Sequence, residues 1–228
     1  MKKFRKSAHL FQVPKVYTLD TMKQALVKKW EGIITDKSVI KAFMQVERKD
    51  FMAKETEAYA YEDVALPIMK GQTISQPLTV MFMTQALELK KGMKVLEVGA
   101  GSGYQAAIIA NVIGSKGKLY TTEIIPELVE FAKGNLEKAH ISNVKVIHSD
   151  GSLGYKEKAP YDRIIVTAAA PSVPKPLLSQ LKKGGIMVIP VGINTQDMMK
   201  IKKLNGKIVK ENMGAFRFVP LKGRHGVS

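Results

Sequence analysis

The chain has 228 residues, 45% of them hydrophobic and 25% charged, with a formal net charge of +16 and no cysteine. Such a length suits one α/β domain with a substantial core, and no apolar run approaches the roughly 18 residues that a membrane span needs. Without cysteine there are no disulfides, thiolate metal sites or Cys nucleophiles, which fits a reducing cytoplasm.

The first thirty residues carry eight Lys/Arg against Asp20, and residues 198–228 carry eight against Glu211; the body between them is nearly balanced, with 20 basic and 18 acidic residues. The basicity therefore belongs to the two ends, where solvated tails are the simplest reading and nucleic-acid-binding arms the alternative. The opening stretch "MKKFRKSAHLFQVP" lacks the long apolar segment and small-residue cleavage site of a signal peptide. His9, His140, His148 and His225 show no close pairing, so no metal is expected.

In chain order, "DTMKQALVKKWEG" (20–32) predicts a helix capped by Asp20 or Thr21 and closed at Gly32. Trp30 should anchor its core face. "SVIKAFMQVER" (38–48) predicts a second helix, capped by Ser38. The uncharged stretch "GQTISQP" (71–77) reads as a loop, followed by a buried helix at "LTVMFMTQALEL" (78–89). From residue 93, short β-branched runs alternate with helical stretches as far as "GGIMVIPVG". Such alternation is the signature of a mostly parallel, doubly wound sheet covered on both faces. "MMKIKKLNGKIVKEN" then places two alternating runs around Asn205-Gly206, which predicts a hairpin and an antiparallel C-terminal edge. One domain over 1–228 follows: a helical N-terminal layer with a substrate loop (1–80), an α/β core (81–192) and C-terminal antiparallel strands (193–228).

"VLEVGAGSGYQAA" (95–107) runs from a strand through Gly99, Gly101 and Gly103 into a helix. Glycines there permit a tight turn and close approach of a ligand to the helix N-terminus. The G-x-G-x-G spacing differs from the dinucleotide G-x-G-x-x-G, and Glu97 just before the turn repels phosphate while suiting an ammonium. Glu123 ends the second strand, where an acid accepts from ribose hydroxyls. Asp150-Gly151 ends the third, where an acid can accept from an adenine amine. Three acids at three successive strand ends read as a site for S-adenosylmethionine, giving a Rossmann-like class I methyltransferase.

Several acceptors can be set aside. The covalent route to C5-methylated pyrimidines needs a cysteine, and "TAAAPSVP" (167–174), after the fourth strand, offers no aromatic to stack a flipped base.

"AYEDVALPIMKGQTISQP" (60–77), the glycine turn, "YDRIIVTAAAPSVPKPLLSQLKKGGIMVIPVG" (161–192) and "FRFVPLKG" (216–223) together resemble the protein-L-isoaspartate O-methyltransferase family over about residues 46–223. The resemblance implies methyl transfer from S-adenosylmethionine, which leaves as S-adenosylhomocysteine, to the α-carboxylate of L-isoaspartyl and often D-aspartyl residues in damaged proteins. The ester would close to a succinimide and hydrolyse partly to aspartate. It implies that Ser75 holds the active-site position, assisted by Thr73. Gln72, Ile74 and Ile124 would border the cofactor, with Glu97, Gly99, Gly101 and Gly103 at its methionine part, Glu123 at its ribose, and Asp150 and Gly151 at its adenine. The segment "FRFVPL" (216–221), with Val219 and Pro220, could pair with substrate main chain. An isoaspartyl carboxylate is already ionised at neutral pH, so Ser75 would aim it rather than act as a nucleophile or serve a base. A cytoplasmic monomer acting on isoaspartyl proteins, with neither membrane nor nucleic acid as partner, is the expectation; an adenosine N1 RNA methyltransferase using basic terminal arms is the alternative.

Overall fold

A computed structural model of the protein describes residues 18–205 and 207–227. The N-terminal basic residues Lys2, Lys3, Arg5, Lys6 and Lys15, together with His9 and Gly206, lie outside that range.

Helix α1 spans Leu19–Lys29 and begins earlier than its composition suggested. Its cap is Thr18, whose hydroxyl accepts from Thr21 N at 3.3 Å, while Asp20 sits in the first turn, where its charge meets the positive helix end. Helix α2, Lys37–Gln45, is likewise capped one step upstream of Ser38. Asp36 Oδ1 accepts from Ser38 N at 2.8 Å and from its hydroxyl at 2.6 Å. In both cases two capping residue types stand close together, and the upstream one takes the position that frees the next to enter the helix. Trp30 is buried and packs edge-on against Phe43 with ring centroids 4.9 Å apart. The buried Lys23 spans the two helices, donating to Met44 O at 3.0 Å and pairing with Glu47.

The chain then passes through short 3₁₀ turns at Arg48–Phe51 and Lys54–Tyr59. Two-residue strands follow, β1 (Leu66–Pro67) and β2 (Thr73–Ile74), antiparallel with Leu66 opposite Ile74. The uncharged stretch is thus half of a minimal hairpin rather than wholly loop. Helix α3, Pro77–Ala86, leaves it directly, with Pro77 in the first turn, where a missing N–H costs nothing.

From Lys94 the chain builds a seven-stranded sheet. Strands β3 (Lys94–Val98), β4 (Lys118–Glu123), β5 (Val144–His148), β6 (Tyr161–Val166) and β7 (Leu181–Val191) are joined through α4 (Tyr104–Ile113), α5 (Pro126–Lys138) and α6 (Lys175–Gln180). Strands β8 (Gln196–Leu204) and β9 (Lys207–Phe216) complete it in the order β5-β4-β3-β6-β7-β8-β9. The first five pair in parallel and the last two antiparallel, with Leu204 opposite Lys207 across a two-residue connection.

Alternation along β3 sends Val95 into the core beneath α4 and the N-terminal helices, and Leu96 and Val98 into the core on the opposite face with Leu177 and Met187. Helix α4 is buried almost all round because α2 and α3 lie over it as an outer layer. Each fully buried aliphatic side chain there, such as Ile108, contributes roughly 1.5–3 kcal/mol. Sequence order reverses between β3 and β6, so a crevice opens at their carboxyl ends, the position where sheets of this type bind ligands.

Candidate active site

After Val98 the backbone turns through Gly99 (φ +96°) and Gly101 (φ +53°), both in the left-handed region. A Cβ on Gly99 would lie 2.4 Å from Thr167 Oγ1, whereas one on Gly101 would meet nothing within 4 Å. Gly99 is therefore demanded by packing, and Gly101 leaves an open cradle. Thr122 O fixes the turn by accepting from Gly99 N at 2.8 Å and Ala100 N at 3.1 Å. The Glu123 carboxylate fixes its outer limb, with Oε2 accepting from Gly101 N at 3.0 Å and Oε1 from Ile124 N and Ile125 N at 2.9 and 3.0 Å.

These residues wall a cavity at the crevice. Of the expected cofactor residues, Gln72, Ile74, Gly99, Gly101, Glu123, Ile124 and Gly151 line it. Thr73, Ser75, Val219 and Pro220 line it as well. Three expected residues do not reach its wall. Gly103 lies behind it, tight against Ala132 of α5.

Glu97 is fully buried, opposite Thr121 in the β3–β4 register, and neither carboxylate oxygen nor the Thr121 hydroxyl has a hydrogen-bond partner among the described residues. Burial pushes the Glu97 carboxyl up to about 8, with the Glu123 charge adding to it and the nearby Thr121 hydroxyl offsetting part. Asp150 stands two residues past β5, and its carboxylate caps the following turn. Its Oδ1 accepts from Ser152 N at 2.9 Å and the Ser152 hydroxyl at 2.7 Å, and its Oδ2 from Arg224 N at 2.7 Å. Burial would raise its pKa, but these donors and the nearby His225 hold it below the ordinary aspartate value. One acid of the expected three, Glu123, forms part of the cavity wall.

A wider cleft adjoins the cavity and shares Thr73, Ser75, Thr167 and Val219 with it. Its far wall is apolar, with Phe82 and Phe216 at 5.4 Å between centroids and Phe218 next to them. Ser75 thus stands where cavity and cleft meet. Two residues that the sequence reading passed over hold it there. Arg48, fully buried, donates to Ala60 O at 2.8 Å, Val64 O at 2.9 Å and Ser75 O at 3.0 Å. Asp63 accepts from Leu78 N at 3.0 Å and from Trp30 Nε1 at 2.9 Å, tying the start of α3 to α1.

The C-terminal segment is partly committed within the chain. Val219 O accepts from Ala169 N at 2.8 Å, Leu221 N donates to Ala169 O at 2.8 Å, and Phe218 N donates to Gln196 Oε1 at 2.6 Å. Val219 N–H has no acceptor among the described residues, so any pairing of this segment with another chain is short.

No helix among the described residues is long and apolar enough to cross a membrane. The profile of the protein-L-isoaspartate(D-aspartate) O-methyltransferase family matches residues 21–226. A Methanosarcina mazei protein-L-isoaspartate O-methyltransferase is 47% identical over 208 residues, covering 91% of this chain and 86% of that protein. The Pyrococcus horikoshii protein of the same name is 51% identical over 201 residues, covering 87% and 90%. Among solved structures, a protein-L-isoaspartate O-methyltransferase superposes with a TM-score of 0.83 at 32% identity, over 90% of this chain and 67% of the other. A Plasmodium falciparum protein assigned as a beta-aspartate methyltransferase, in complex with S-adenosyl-L-homocysteine, superposes with a TM-score of 0.78 at 28% identity, over 89% and 97%. By sequence and by fold, the chain belongs to the protein-L-isoaspartate(D-aspartate) O-methyltransferase family.

Proposed function

We propose that the walled cavity holds S-adenosylmethionine and that the acceptor carboxylate enters through the adjoining cleft, to be aimed by Ser75. As a member of its family, the chain is an S-adenosylmethionine-dependent methyltransferase that esterifies the α-carboxylate of L-isoaspartyl residues in damaged proteins. The ester then closes to a succinimide, and hydrolysis returns part of it to aspartate. D-aspartyl residues are a second acceptor in this reading. The observation that carries the assignment of roles is the position of Ser75 on the border shared by cavity and cleft.

The residues present fit the cofactor. Gly101 leaves space against the turn, and Glu123 offers a carboxylate at the cavity wall. Glu123 would take the ribose hydroxyls, and Gly151 would border the adenine. When bound, S-adenosylmethionine supplies a methyl group activated by its sulfonium charge.

The chain's own part is positioning. The acceptor carboxylate is ionised at neutral pH, with a pKa near 4, and needs no base. Pairing it tightly with Lys or Arg would stabilise the ground state more than a transition state in which charge is being neutralised. Ser75 and Thr73 supply neutral hydroxyls instead. Arg48 keeps its charge behind the loop, engaged with main-chain carbonyls. Orientation of this kind can supply roughly 7–11 kcal/mol of the barrier reduction.

In the same reading the protein is a cytoplasmic monomer without a nucleic-acid partner. The lysines of β8 bear on the nucleic-acid part, since several are engaged within the chain rather than left free for phosphates. Lys200 and Lys202 pair with Glu88 at 2.8 and 3.0 Å, and Lys203 donates to Leu178 O and Leu181 O at 2.8 and 2.7 Å.

The test is transfer of labelled methyl to paired peptides that differ in Asp or isoAsp at one residue, with RNA in parallel. Label confined to the isoAsp peptide and released by base as methanol is expected. Stable label in RNA with none in peptide would overturn the reading.

A further inference from the structure

The Ser75–Gln76 peptide unit faces two ways. Its carbonyl accepts from buried Arg48 at 3.0 Å. In a trans peptide the N–H points opposite to the C=O, and Ala159-Pro160 is the one cis bond among the described residues. Gln76 N–H is therefore directed away from the guanidinium and the interior. Thr73, Ser75 and Gln76 border the cleft, and this N–H has no acceptor among the described residues. Its neighbours differ: Leu78 N is held by Asp63 at 3.0 Å, and Pro77 has no N–H to offer.

Arg48 is unusual for a buried cation. No carboxylate lies within ion-pair distance of it among the described residues, and its partners are main-chain carbonyls at Ala60, Glu62, Val64 and Ser75. A charged donor on one end of a peptide polarises the unit and strengthens the N–H at the other end as a donor. A carboxylate has two oxygens. During methyl transfer one must be free to attack, and the other must be held. A hydroxyl and an amide on consecutive residues suit that task without adding a cation to the cleft.

We propose that the main-chain N–H of Gln76 is a second donor to the acceptor carboxylate, beside the Ser75 hydroxyl, and that Arg48 is the positioning residue that presents it. The proposal rests on the cleft being the acceptor's entrance. It extends that reading from a side chain to the backbone, and it gives the buried guanidinium a role in catalysis.

Gln76 has φ −53° and ψ 134°, angles that proline can adopt. Gln76→Pro therefore removes the N–H, while Gln76→Ala keeps it and removes the side chain that accepts from Thr79 Oγ1 at 3.2 Å. On an isoAsp peptide, kcat of Gln76→Pro should fall roughly 10- to 100-fold below that of Gln76→Ala, the usual worth of a hydrogen bond to a charged group. Affinity for S-adenosylhomocysteine should stay within about twofold in both. Equal kcat for the two variants would overturn the proposal. Arg48→Lys provides an independent test should the proline variant not fold. It should lower kcat more than it raises KM, and a variant less stable to urea but with unchanged kcat would reduce Arg48 to a structural tie and overturn the proposal. Wild-type protein that fails to methylate the isoAsp peptide would sink the functional reading and this proposal with it. Active wild type with indistinguishable proline and alanine variants would sink the proposal alone.

Discussion

Glu97→Gln exchanges a buried, unpaired carboxylate for a neutral side chain of the same shape. In the folded chain burial lifts this carboxyl from 4.5 to about 8. Below the lower value the group is protonated in folded and unfolded chains alike and makes no difference. Between 4.5 and about 8 the unfolded chain has released its proton while the folded chain retains it, so wild-type stability falls by about 1.4 kcal/mol per pH unit. Above that window the loss levels off. The interval corresponds to at most about 5 kcal/mol, since relaxation around a buried charge reduces the figure. The glutamine variant escapes the loss, so its stability relative to wild type should improve steadily from about pH 5 to about pH 8 and then level off. Any cost of an unpaired amide is common to all pH values and cancels in this comparison. Urea unfolding of the ligand-free proteins at about pH 5, 7 and 9 measures it directly. A stability difference that stays flat across the pH range would refute the argument that Glu97 is held as an uncompensated carboxyl.

Ser75→Ala should lower kcat on an isoAsp peptide by roughly 10- to 100-fold while leaving S-adenosylhomocysteine affinity nearly unchanged, as steady-state kinetics and calorimetry would show. Gly99→Ala forces a side chain onto φ +96° with its Cβ 2.4 Å from Thr167 Oγ1. It should cost about 1–3 kcal/mol in urea unfolding and weaken cofactor binding. Glu123→Gln sets an amide NH₂ against the N–H groups that its carboxylate now accepts from at Gly101, Ile124 and Ile125. Calorimetric affinity for S-adenosylhomocysteine should drop about 10- to 100-fold, with a smaller loss of stability.

The centre of the sheet was legible because strands such as β3 and β6 are almost wholly buried and read as apolar runs, "KVLEV" and "RIIV", a pattern that depends on burial rather than on any partner's identity. The Asn205-Gly206 signal marked the antiparallel edge because turn chemistry is local. Which way a side chain faces was harder. Glu97 and Glu123 both lie near the carboxyl ends of adjacent strands, yet Glu97 is enclosed by the sheet's neighbours and Glu123 opens onto the cavity. Contacts between residues distant in sequence were not legible at all. Arg48 meets Ser75 across 27 positions, and Trp30 meets Asp63 across 33. A usable signal did exist: the chain has 31 lysines and five arginines. Arg48 and Arg163, the two arginines in its central part, are both buried and both donate to several main-chain carbonyls. In a lysine-dominated chain, an arginine marks a place where a planar fork of donors is required.

Strand β9 closes the sheet on one side, and its outer backbone edge pairs with no strand among the described residues. Ile208 and Val209 are exposed along it. A straight, apolar edge of this kind invites a strand from a neighbouring molecule, the first step toward fibres. Lys207 on one side and Lys210 and Glu211 on the other flank the apolar pair, and the register shift near Met213 and Gly214 bends the strand before it reaches the cleft. Charge at this end of the chain thus acts against self-association. A protein that handles damaged chains meets unfolded segments constantly, and a sheet edge that discourages them keeps such encounters at the cleft.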